Sequence, residues 1–402
     1  MDGFDASRIA GLSLLQMLAA ALPGRRKVPV FFQGLPAARH PEDLNRGIPE
    51  HYDGAHRPGG RFGFEWWYFD ARCEDGHAVV CGLMDPDTWK FSKTKSLMWL
   101  HVYLPDGTFY NNHVNIPRTQ FRASTRECDV ELAGNRIKGK YPEYRVDLEH
   151  GDFAAHLIFK SLLPGWALGT GQMMFGYPSH PLAFGWLVPQ PRAAVEGTLS
   201  YPGNTVEVRG EGYHDHNWGN FPSSVMIQRW HWGRLMNADT GITMLFADVI
   251  AGKSCGNVHI PMLLVARGER AVLETLRMEW YFQDYGMDEY GIQAYPHRYG
   301  FRFAERGITG EIEFAVEGIA EHIDLLENMG VPARARNHLA RFTQPCYYRF
   351  DSAYRGHVDF EGERVELSGD TITEHIILTL RRGKIPVDVP FRSFLPPTAW
   401  DG

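Results

Sequence analysis

Short apolar and aromatic runs, each bounded by turn residues, recur along most of the chain. FEWWYFDA, HAVVCGLM, SLMWLHVYL and TMLFADVI are examples rich in β-branched and aromatic residues. Pairs such as Asp75-Gly76 and Asp106-Gly107 separate these runs and favour tight turns. Strands do not alternate regularly with helical segments, so a parallel α/β sheet is disfavoured. The pattern predicts a mostly β protein with antiparallel sheets and a few helices.

One segment has a helical rather than a strand-like pattern. Within residues 316–342, Ile319, Ile323, Leu326 and Met329 follow one another at three- and four-residue steps, which is the spacing of one helix face. The residues Gly-Val-Pro then interrupt the pattern before a second short turn. We expect a helix that closes one end of a barrel or acts as a lid.

A second apolar segment, at residues 9–22, lies near the N-terminus. Asp2 and Asp5 precede it and basic residues follow it, which is the reverse of a secretory signal. The segment is also too short to span a bilayer. The expected structure is an amphipathic helix that packs on the protein body or lies on a membrane surface.

An internal repeat links the middle of the chain to its C-terminal part. GTLSYPGNTVEVRGEGYHDH at 197–216 matches GHVDFEGERVELSGDTITEH at 356–375 without a gap, with three glycines, an acidic residue and a histidine in register. A weaker match places Trp67 on Trp232. The repeat predicts a duplicated β unit of roughly 150 residues that folds as tandem barrels or sandwiches.

Length, charge and cysteine usage narrow the functional class. At 402 residues the chain suits two domains. The net charge of -7 comes without an extended basic run, so we expect no nucleic-acid partner. Five scattered cysteines include no C-x-x-C pair, which favours reduced thiols and a cytoplasmic location. The oligomeric state stays open.

The stretch GEGYHDHNWG at 210–219 concentrates groups that could take part in chemistry. If it is a strand, His214, His216 and Trp218 share one face, and Asp215 lies on the other. A His-x-His pair can hold zinc, but a third ligand would have to come from elsewhere. Since no other histidine shows a recognisable spacing, we predict no metal. Aromatic core packing with hydrogen-bonded histidines is the alternative interpretation.

Two acidic residues lie within otherwise apolar strands. In ITMLFADVI, alternation places Asp248 on the same face as Met244 and Phe246. If that face lines a cavity, an apolar surrounding keeps the carboxyl protonated, the state that a general acid needs. Alternatively, Asp248 ends the strand and reaches water. Glu65, in FEWWYFDA, either accepts a hydrogen bond from an indole N–H or serves as a second acid.

Apolar side chains form the predicted binding surface. The segment 164–186 combines glycine, proline, methionine and aromatic residues without a charge, a composition that adapts to an apolar ligand or covers a barrel mouth. Motifs for nucleotides, serine hydrolases and metalloproteases are absent from the sequence, so we predict no cofactor. The candidate substrate-binding residues are Trp67, Trp218, Trp230, Trp232, Phe246, Met174, Phe175 and Tyr177.

The motifs EWWYFDA, GEGYHDHNWG, FAD and SGDTITEHI resemble those of the carotenoid 1,2-hydratase and AttH-like family. That family includes hydroxyneurosporene synthases, kievitone hydratase-like proteins and fungal decalin-forming Diels-Alderases. The resemblance covers roughly residues 60 to 380 and implies two lipocalin-like domains. We expect an N-terminal helix and arm over 1–55, one domain over 56–220 and a second over 221–402.

The resemblance also implies roles for individual residues. His216 and Trp218 match a His-x-Trp element of the family, and Asp248 matches the aspartate of a Tyr-x-Asp element whose aspartate is the proton donor. Phe246 stands where that element has tyrosine, so a hydroxyl is missing. His216 would hold Asp248 or activate water, and Trp218 and Trp232 would stabilise a cation.

The implied function is a cofactor-independent hydratase or cyclase of secondary metabolism. It would protonate an alkene of a terpenoid or polyene bound between the two domains, with Asp248, His216 and Glu65 as catalytic residues. One alternative is a pericyclase that folds a polyene without proton transfer. The other is a lipocalin-type carrier of hydrophobic ligands, which would not need Asp248. The expected partner is therefore a hydrophobic small molecule, with membrane-surface contact conceivable only through residues 9–22.

Overall fold

A computed structural model describes residues 28–35, 40–60, 62–87, 92–176 and 182–384. The contact pattern divides the chain into two compact units, with the boundary between Phe221 and Pro222. We call the part that includes Phe31–Phe221 unit 1 and the part from Pro222 onwards unit 2. The segment 9–22, predicted to be a helix, lies outside the described residues.

Unit 1 is built on one antiparallel sheet. Its strands are β1 (Val30–Phe32), β2 (Phe64–Cys73), β3 (Ala78–Asp85), β4 (Lys95–Tyr103), β5 (Phe109–Pro117), β6 (Phe121–Ala123), β7 (Cys128–Leu132), β8 (Asn135–Lys140), β9 (Glu143–His150), β10 (Phe153–Ser161), β11 (Gln172–Phe175), β12 (Leu182–Tyr201) and β13 (Asn204–Gly219). Their main order is β5-β4-β3-β2-β13-β12-β10-β9-β8-β7-β6, and β11 pairs with β1 and β12. A single-turn helix, α1 (Pro41–Leu44), and a 3-10 helix (Glu50–Tyr52) precede β2.

Unit 2 repeats this plan with fewer strands. They are β14 (Ile227–Asn237), β15 (Ile242–Ala251), β16 (His259–Arg267), β17 (Arg270–Thr275), β18 (Met278–Met287), β19 (Ala294–Glu305), β20 (Ile308–Asp324), β21 (Cys346–Phe360) and β22 (Glu363–Ile377). Their order is β17-β16-β15-β14-β22-β21-β20-β19-β18. Two short helices, α2 (Leu325–Asn328) and α3 (Ala333–Leu339), connect β20 to β21. The predicted fold class, two tandem antiparallel β units with a few helices, is therefore confirmed.

The strand order confirms the duplication predicted from the sequence repeat. In both units the first hairpin of the sheet pairs with the last hairpin, as β2 with β13 and β14 with β22. The last hairpins have the same register, since Gly197 pairs with Val208 and Gly356 with Leu367. The two repeat segments therefore occupy equivalent positions in their sheets.

The weaker alignment of the first strands is wrong by one residue. His216 of unit 1 pairs with Trp67, whereas His375 of unit 2 pairs with His231 rather than with Trp232. Trp67 is therefore equivalent to His231 when the two sheets are compared by strand pairing. A one-residue shift moves a side chain to the other face of a sheet, so Trp232 does not occupy the position that Trp67 has in unit 1.

The repeated glycines have a packing reason. A Cβ on Gly356 would overlap the backbone carbonyl oxygen of Glu311 on the neighbouring strand, and a Cβ on Gly197 would overlap that of His156. The two positions are equivalent, which explains why glycine occurs in both copies. Gly203 and Gly362 instead have φ angles of 83° and 99° in the hairpin turns, where a side chain would be strained.

Each sheet encloses its own apolar core. In unit 1, Trp67 and Phe69, two residues apart on β2, are fully buried in one cluster with residues of β4 and β7. The strands β4 and β7 lie in different halves of the strand order. In unit 2, Phe246 and Phe314 belong to a corresponding cluster. Strands from distant positions of one sheet share a core only if the sheet curls around it. The inward faces of the strands thus surround each core.

The predicted helix over 316–342 is largely wrong. Residues up to Asp324 belong to β20 and pair with β21, and irregular pairing follows Val316 and Ile319. These residues form a strand despite the helix-like spacing of their apolar side chains, because long-range tertiary contacts override local preference. Only the short helices α2 and α3 follow. The segment 164–186, predicted to adapt to an apolar ligand or to cover a barrel mouth, contains β11 and the start of β12.

Two further features concern the cysteines and the helices. All five cysteines are free, so the prediction of unpaired thiols is confirmed. Among the described residues, the helices are all too short or too polar to cross a bilayer.

Replacing Gly356 by alanine tests the close approach of β21 and β20. We expect Gly356→Ala to lower the free energy of unfolding by roughly 1–3 kcal/mol, because the new methyl group must displace backbone. Gly318→Ala, in β20 of the same unit, is the control, since a Cβ there meets nothing within 4 Å. Urea unfolding of both variants measures the effect. Equal stability of the two variants would contradict the proposed packing role.

Candidate functional site

Buried ionisable side chains collect where β2 pairs with β13 in unit 1. The predicted alternation of β13 is confirmed: His214 and His216 point into the core beside Phe69 and Trp67, with ring centroids 3.8 and 4.3 Å apart. Asp215 lies on the opposite face. We call Asp53, His56, Glu65, His214 and His216 the unit 1 cluster.

Asp53 is the centre of the unit 1 cluster. It follows the 3-10 helix Glu50–Tyr52, and its side chain is almost completely buried. One carboxylate oxygen lies 3.2 Å from Nε2 of His214, and the other lies 3.2 Å from Nδ1 of His216. The backbone carbonyl of the same residue accepts a hydrogen bond from the Trp67 indole at 3.1 Å. These contacts fix the segment before β2 to the inner face of the sheet.

Glu65 anchors the same segment from the other side. Its carboxylate accepts hydrogen bonds from the backbone N–H groups of His56 at 2.6 Å and Arg57 at 3.1 Å. Nε2 of His216 lies 2.9 Å from the same carboxylate. The expected indole donor to Glu65 is therefore wrong, since the Trp67 indole donates to Asp53 instead. Three donors hold Glu65 in place.

Burial and neighbouring charges shift the titration of these groups in opposite directions. Burial alone would raise the pKa of Asp53, but His214 and His216 lower it to about 2. Burial opposes protonation of His216, but Asp53 and Glu65 raise its pKa to about 8. Desolvation and the charge of His216 lower the pKa of His56 to about 4. At neutral pH the cluster thus holds a charged His216 between two carboxylates and a neutral His56.

Aromatic rings pack around the unit 1 cluster. The ring of His56 stacks on Trp218, with centroids 3.6 Å apart and planes 8° apart. The indole of Trp218 in turn lies over Gly185, where any Cβ would collide with the ring. Trp67 and Trp218 are both buried. Their predicted contact with a substrate stays a prediction.

The acidic residue of each repeat lies on the outward face. Asp215 accepts hydrogen bonds from the Tyr213 hydroxyl at 2.9 Å and the Trp186 indole at 3.1 Å. Its equivalent in unit 2, Glu374, accepts from the Tyr347 hydroxyl at 2.7 Å and is paired with Arg349 at 2.8 Å. The acid-His pairs of the repeat therefore place the acid in a hydrogen-bond network and the histidine in the core.

Unit 2 has its own group of buried polar side chains around Asp248. This residue, on β15, is fully buried, and one of its oxygens lies 2.6 Å from Nδ1 of His259 on β16. Its other oxygen, Oδ1, has no hydrogen-bond partner among the described residues. Asp248 shares its face with Met244 and Phe246, as predicted, and both of these belong to the unit 2 core. The alternative that Asp248 reaches water is wrong.

Two histidines complete this group across the sheet. His231 lies directly opposite Asp248 in the strand pairing, and His375 lies directly opposite His231. Their Nδ1 atoms are 2.8 Å apart, so one ring donates and the other accepts. Each Nε2 atom is buried without a hydrogen-bond partner among the described residues. We call His231, Asp248, His259 and His375 the unit 2 cluster.

Desolvation keeps the histidine pair neutral. Burial, with the charge of Arg229, lowers the pKa of His375 to about 3. Burial also holds the pKa of His231 well below its usual range, with His375, Arg229 and His259 as further causes. The rings of Phe282, Trp280 and Tyr299 lie 4.5, 5.9 and 5.9 Å from that of His231. The pair is therefore an uncharged, hydrogen-bonded unit in an aromatic surrounding.

Two of the predicted substrate-binding tryptophans lie on the other face of β14. Trp230 and Trp232 alternate with His231 along this strand, so they do not share the face of Asp248. The guanidinium of Arg234 lies 5.9 Å from the Trp232 ring. The expected cation-stabilising role of Trp232 beside Asp248 is thus not supported by its side-chain direction.

The remaining candidates belong to β11 or lie beyond it. Met174 and Phe175 are buried on β11, and Phe175 packs edge-to-face against Phe221 at 5.7 Å. Tyr177 lies outside the described residues. A role for these three residues in substrate binding stays a prediction.

Sequence reasoning missed Asp53, His56 and Cys128 as members of the buried polar group in unit 1. Asp53 and His56 come from an irregular segment, HYDGAH, that has no periodicity to analyse. Cys128 lies on β7, far along the chain from β13, yet it joins Asp53 and His214 in space. His259 likewise has no recognisable spacing in the sequence from the other members of the unit 2 cluster. Only long-range strand pairing brings these residues together.

Comparison with known proteins finds two sequence relatives. The chain is 26% identical over 247 residues to a hydroxyneurosporene dehydrogenase of Chlorobaculum tepidum, covering 54% of this chain and 64% of the relative. It is 23% identical over 201 residues to the quinolone epoxide rearrangement protein asqO of Emericella nidulans, covering 42% of this chain and 50% of that relative. The matches thus span less than two thirds of each relative. No protein-family model matches the chain.

Solved structures share the fold over most of the chain. An AttH-type protein of Nitrosomonas europaea has a TM-score of 0.57 at 15% identity and covers 87% of this chain and 100% of its own. CghA, solved with Sch210972, has a TM-score of 0.59 at 14% identity, with coverages of 88% and 99%. Kievitone hydratase from Nectria haematococca has a TM-score of 0.55 at 13% identity, with coverages of 87% and 97%. The predicted lipocalin-like fold and the resemblance to the AttH-like family are confirmed.

The neutral histidine pair makes stability depend on pH. Because the folded-state pKa of His375 is depressed, the unfolded chain binds a proton between about pH 6.5 and 3 that the folded chain does not, so stability is lost as pH falls through this range. We expect His375→Gln to reduce the slope of the unfolding free energy against pH by about 1.4 kcal/mol per pH unit between pH 4.5 and 5.5. Urea unfolding at several pH values measures it.

The exposed His338 of unit 2 provides the matched control, since His338→Gln should keep the wild-type slope. An unchanged slope in His375→Gln, with a folded protein by circular dichroism, would mean that the His375 ring is not held neutral.

Proposed function

We propose that this chain, which has the fold of the AttH-like proteins, is a hydratase or cyclase acting on an apolar unsaturated compound of the terpenoid or polyene class. Asp248 is the proton donor in this proposal. The observation that carries it is the Asp248 carboxyl group, which is fully buried, is held through one oxygen and leaves its other oxygen without a partner. Such a group can present a proton in a fixed direction.

The hydrogen bond with His259 gives the carboxyl group its direction. Nδ1 of His259 lies 2.6 Å from Oδ2 of Asp248, so Oδ1 is the oxygen available to carry and release the proton. An unpartnered polar atom in a core costs about 1–3 kcal/mol of stability. A fold tolerates such a cost most readily where the atom has a use, which supports a catalytic assignment for Oδ1.

Aromatic rings near the unit 2 cluster suit a cationic intermediate. Phe246, two residues before Asp248 on the same face, packs 5.0 Å from Phe301 and 6.0 Å from Trp280. Phe282 and Trp280 also stack on each other with planes 11° apart. The faces of aromatic rings attract positive charge, most strongly in a desolvated site. A carbocation formed beside Asp248 would be stabilised without a counterion.

The proposed reaction conserves protons. The Asp248 carboxyl group transfers its proton to one carbon of a C=C bond, and the positive charge develops on the other carbon. In hydration, water attacks that carbon and returns a proton to the Asp248 carboxylate, so one water is added per turnover. In cyclisation, a second C=C bond of the same molecule attacks, and loss of a proton restores the carboxyl group. Both routes regenerate the acid.

Glu65 and His216 serve positioning in this proposal rather than proton transfer. The Glu65 carboxylate is engaged by three donors, and His216 lies between two carboxylates. Groups compensated in this way fix local structure and have no free lone pair to offer a substrate. Their proposed role is to hold the segment from Asp53 to Arg57 against the sheet of unit 1.

The relatives support the reaction class. One solved relative is a kievitone hydratase, and one sequence relative is a quinolone epoxide rearrangement protein. When protonation of the substrate starts the reaction, two outcomes are expected. Attack of water on the cation gives hydration, and attack by another group of the same molecule gives rearrangement.

Comparing hydrophobic extracts of the native host, with and without this gene and grown in oxygen-18 water, tests the function. A hydratase gives a product that contains one labelled oxygen, and a cyclase gives an unlabelled isomer of the precursor. Asp248→Asn keeps the shape of the side chain but removes the acid, so product formation should fall by at least about 100-fold. Mass spectrometry of the accumulated precursor and product measures both.

Asp351→Asn, an exposed carboxyl change in unit 2, is the matched control and should leave product formation unchanged. Asp248→Glu retains an acid and should keep partial activity. Full product formation by a folded Asp248→Asn protein would exclude the proton donor and favour a pericyclase. Unchanged extracts, together with retention of an unmodified apolar ligand by the purified protein, would favour a carrier.

A further inference from the structure

Three side chains with metal-binding atoms converge inside unit 1. Asp53, Cys128 and His214 are all buried, and each offers one ligand atom within 4.8 Å of the other two. They come from the segment before β2, from β7 and from β13, so only the folded sheet assembles them. The sequence supplied a His-x-His pair without a third ligand, and the fold now provides two further groups.

We propose that unit 1 binds one zinc ion, or a divalent ion of similar preference, through Asp53, Cys128 and His214. Oxygen, sulfur and nitrogen donors in one site suit zinc and cobalt and do not suit magnesium or calcium, which take oxygen ligands. The site is separate from Asp248 and does not depend on the proposed hydratase or cyclase activity.

A hydrogen bond from Nδ1 of His214 orients the ring so that Nε2 faces the site. Nδ1 of His214 lies 2.9 Å from the backbone carbonyl oxygen of Tyr68. A carbonyl can only accept, so Nδ1 carries a hydrogen, and Nε2 is the nitrogen whose lone pair can bind an ion once any proton on it is displaced. That lone pair faces a carboxylate oxygen of Asp53 at 3.2 Å. Metal-bound histidines typically have this arrangement, with the outer N–H donated to a backbone carbonyl.

The other oxygen of Asp53 has an ion-pair contact with His216 but no hydrogen bond among the described residues. It lies 3.2 Å from Nδ1 of His216, but both atoms are buried without a hydrogen bond among the described residues. Nε2 of His216 is engaged by Glu65 at 2.9 Å. Buried polar atoms without partners are rare and call for an explanation such as an ion.

The charges of the site suit a divalent cation. Asp53 and a deprotonated Cys128 together carry two negative charges, which a divalent ion neutralises in a dry core. A thiol binds a metal ion as the thiolate, so binding releases the thiol proton and affinity should fall as the pH is lowered. The Tyr144 phenol, close to Asp53, can support the carboxylate from outside the ligand set.

A second group of three residues is a weaker candidate. His56, Glu65 and His216 also have ligand atoms within 4.8 Å of one another. However, the Glu65 carboxylate already accepts hydrogen bonds from two backbone N–H groups, so its oxygens are less open to an ion. The site at Asp53 has the unpartnered oxygen and includes a thiolate ligand, and we assign the ion there.

Cobalt provides a test that does not depend on enzyme activity. The full chain, without a histidine tag, is unfolded in urea with reductant and chelator, and is then refolded with cobalt so that the ion reaches the buried ligands. We expect about one cobalt per chain by elemental analysis and a thiolate-to-cobalt charge-transfer band in the near ultraviolet. Refolding with zinc should raise the unfolding midpoint and give no such band.

Variants assign the ligands. Cys128→Ser should abolish the charge-transfer band, and His214→Gln should lower cobalt affinity by at least about 10-fold. Cys255→Ser, which changes another buried free thiol in unit 2, is the matched control and should keep the band. A folded wild-type chain that takes up no cobalt or zinc would overturn the proposal, as would a band that survives in Cys128→Ser. The wild-type result stands even if a core variant fails to fold.

Discussion

The pairing of the first and last hairpins in each sheet is the contact on which the rest of the structure depends. β2 pairs with β13 in unit 1, and β14 pairs with β22 in unit 2. These strands lie far apart in sequence, so their pairing brings distant polar groups to one inner face. His216 meets Trp67 across one such pair, and His375 meets His231 across the other. His214, His216, Glu65, His231 and His375 lie on these strands, and Asp248 lies on β15, which pairs with β14.

At one equivalent position of the first strand, the two copies carry side chains of opposite charge. Glu65 pairs with Trp218 at the end of β13, and the equivalent pair in unit 2 joins Arg229 to Ile377. An acid near His216 thus helps to raise its pKa to about 8, whereas burial and the arginine near His375 lower its pKa to about 3. Duplication kept the strand pairing and changed the local charge, so one copy has a charged histidine and the other a neutral one.

The sequence predicts the strand content, the antiparallel sheets and the duplication. It also predicts which face of its strand carries His214, His216 and Asp248. These features follow from period-two alternation and a gap-free repeat. The helix at 316–324 was wrong because chance three- and four-residue spacing carried no information about the partner strand β21. Asp53 and His259 became visible as site residues only when distant segments were brought together. Such contacts have no local pattern, so a single sequence cannot reveal them.

The two clusters differ in the charge of their histidines, and this difference separates their proposed roles. In unit 1, Glu65 is engaged by three donors and His216 is flanked by carboxylates, so these charges lock the segment around Asp53 in place. In unit 2, Oδ1 of Asp248 and Nε2 of both paired histidines lack partners among the described residues. The neutral histidines of unit 2 can exchange protons at little electrostatic cost, whereas a compensated ion pair must first be broken. For this reason we propose proton chemistry for unit 2 and structural anchoring for the Glu65 and His216 side chains of unit 1.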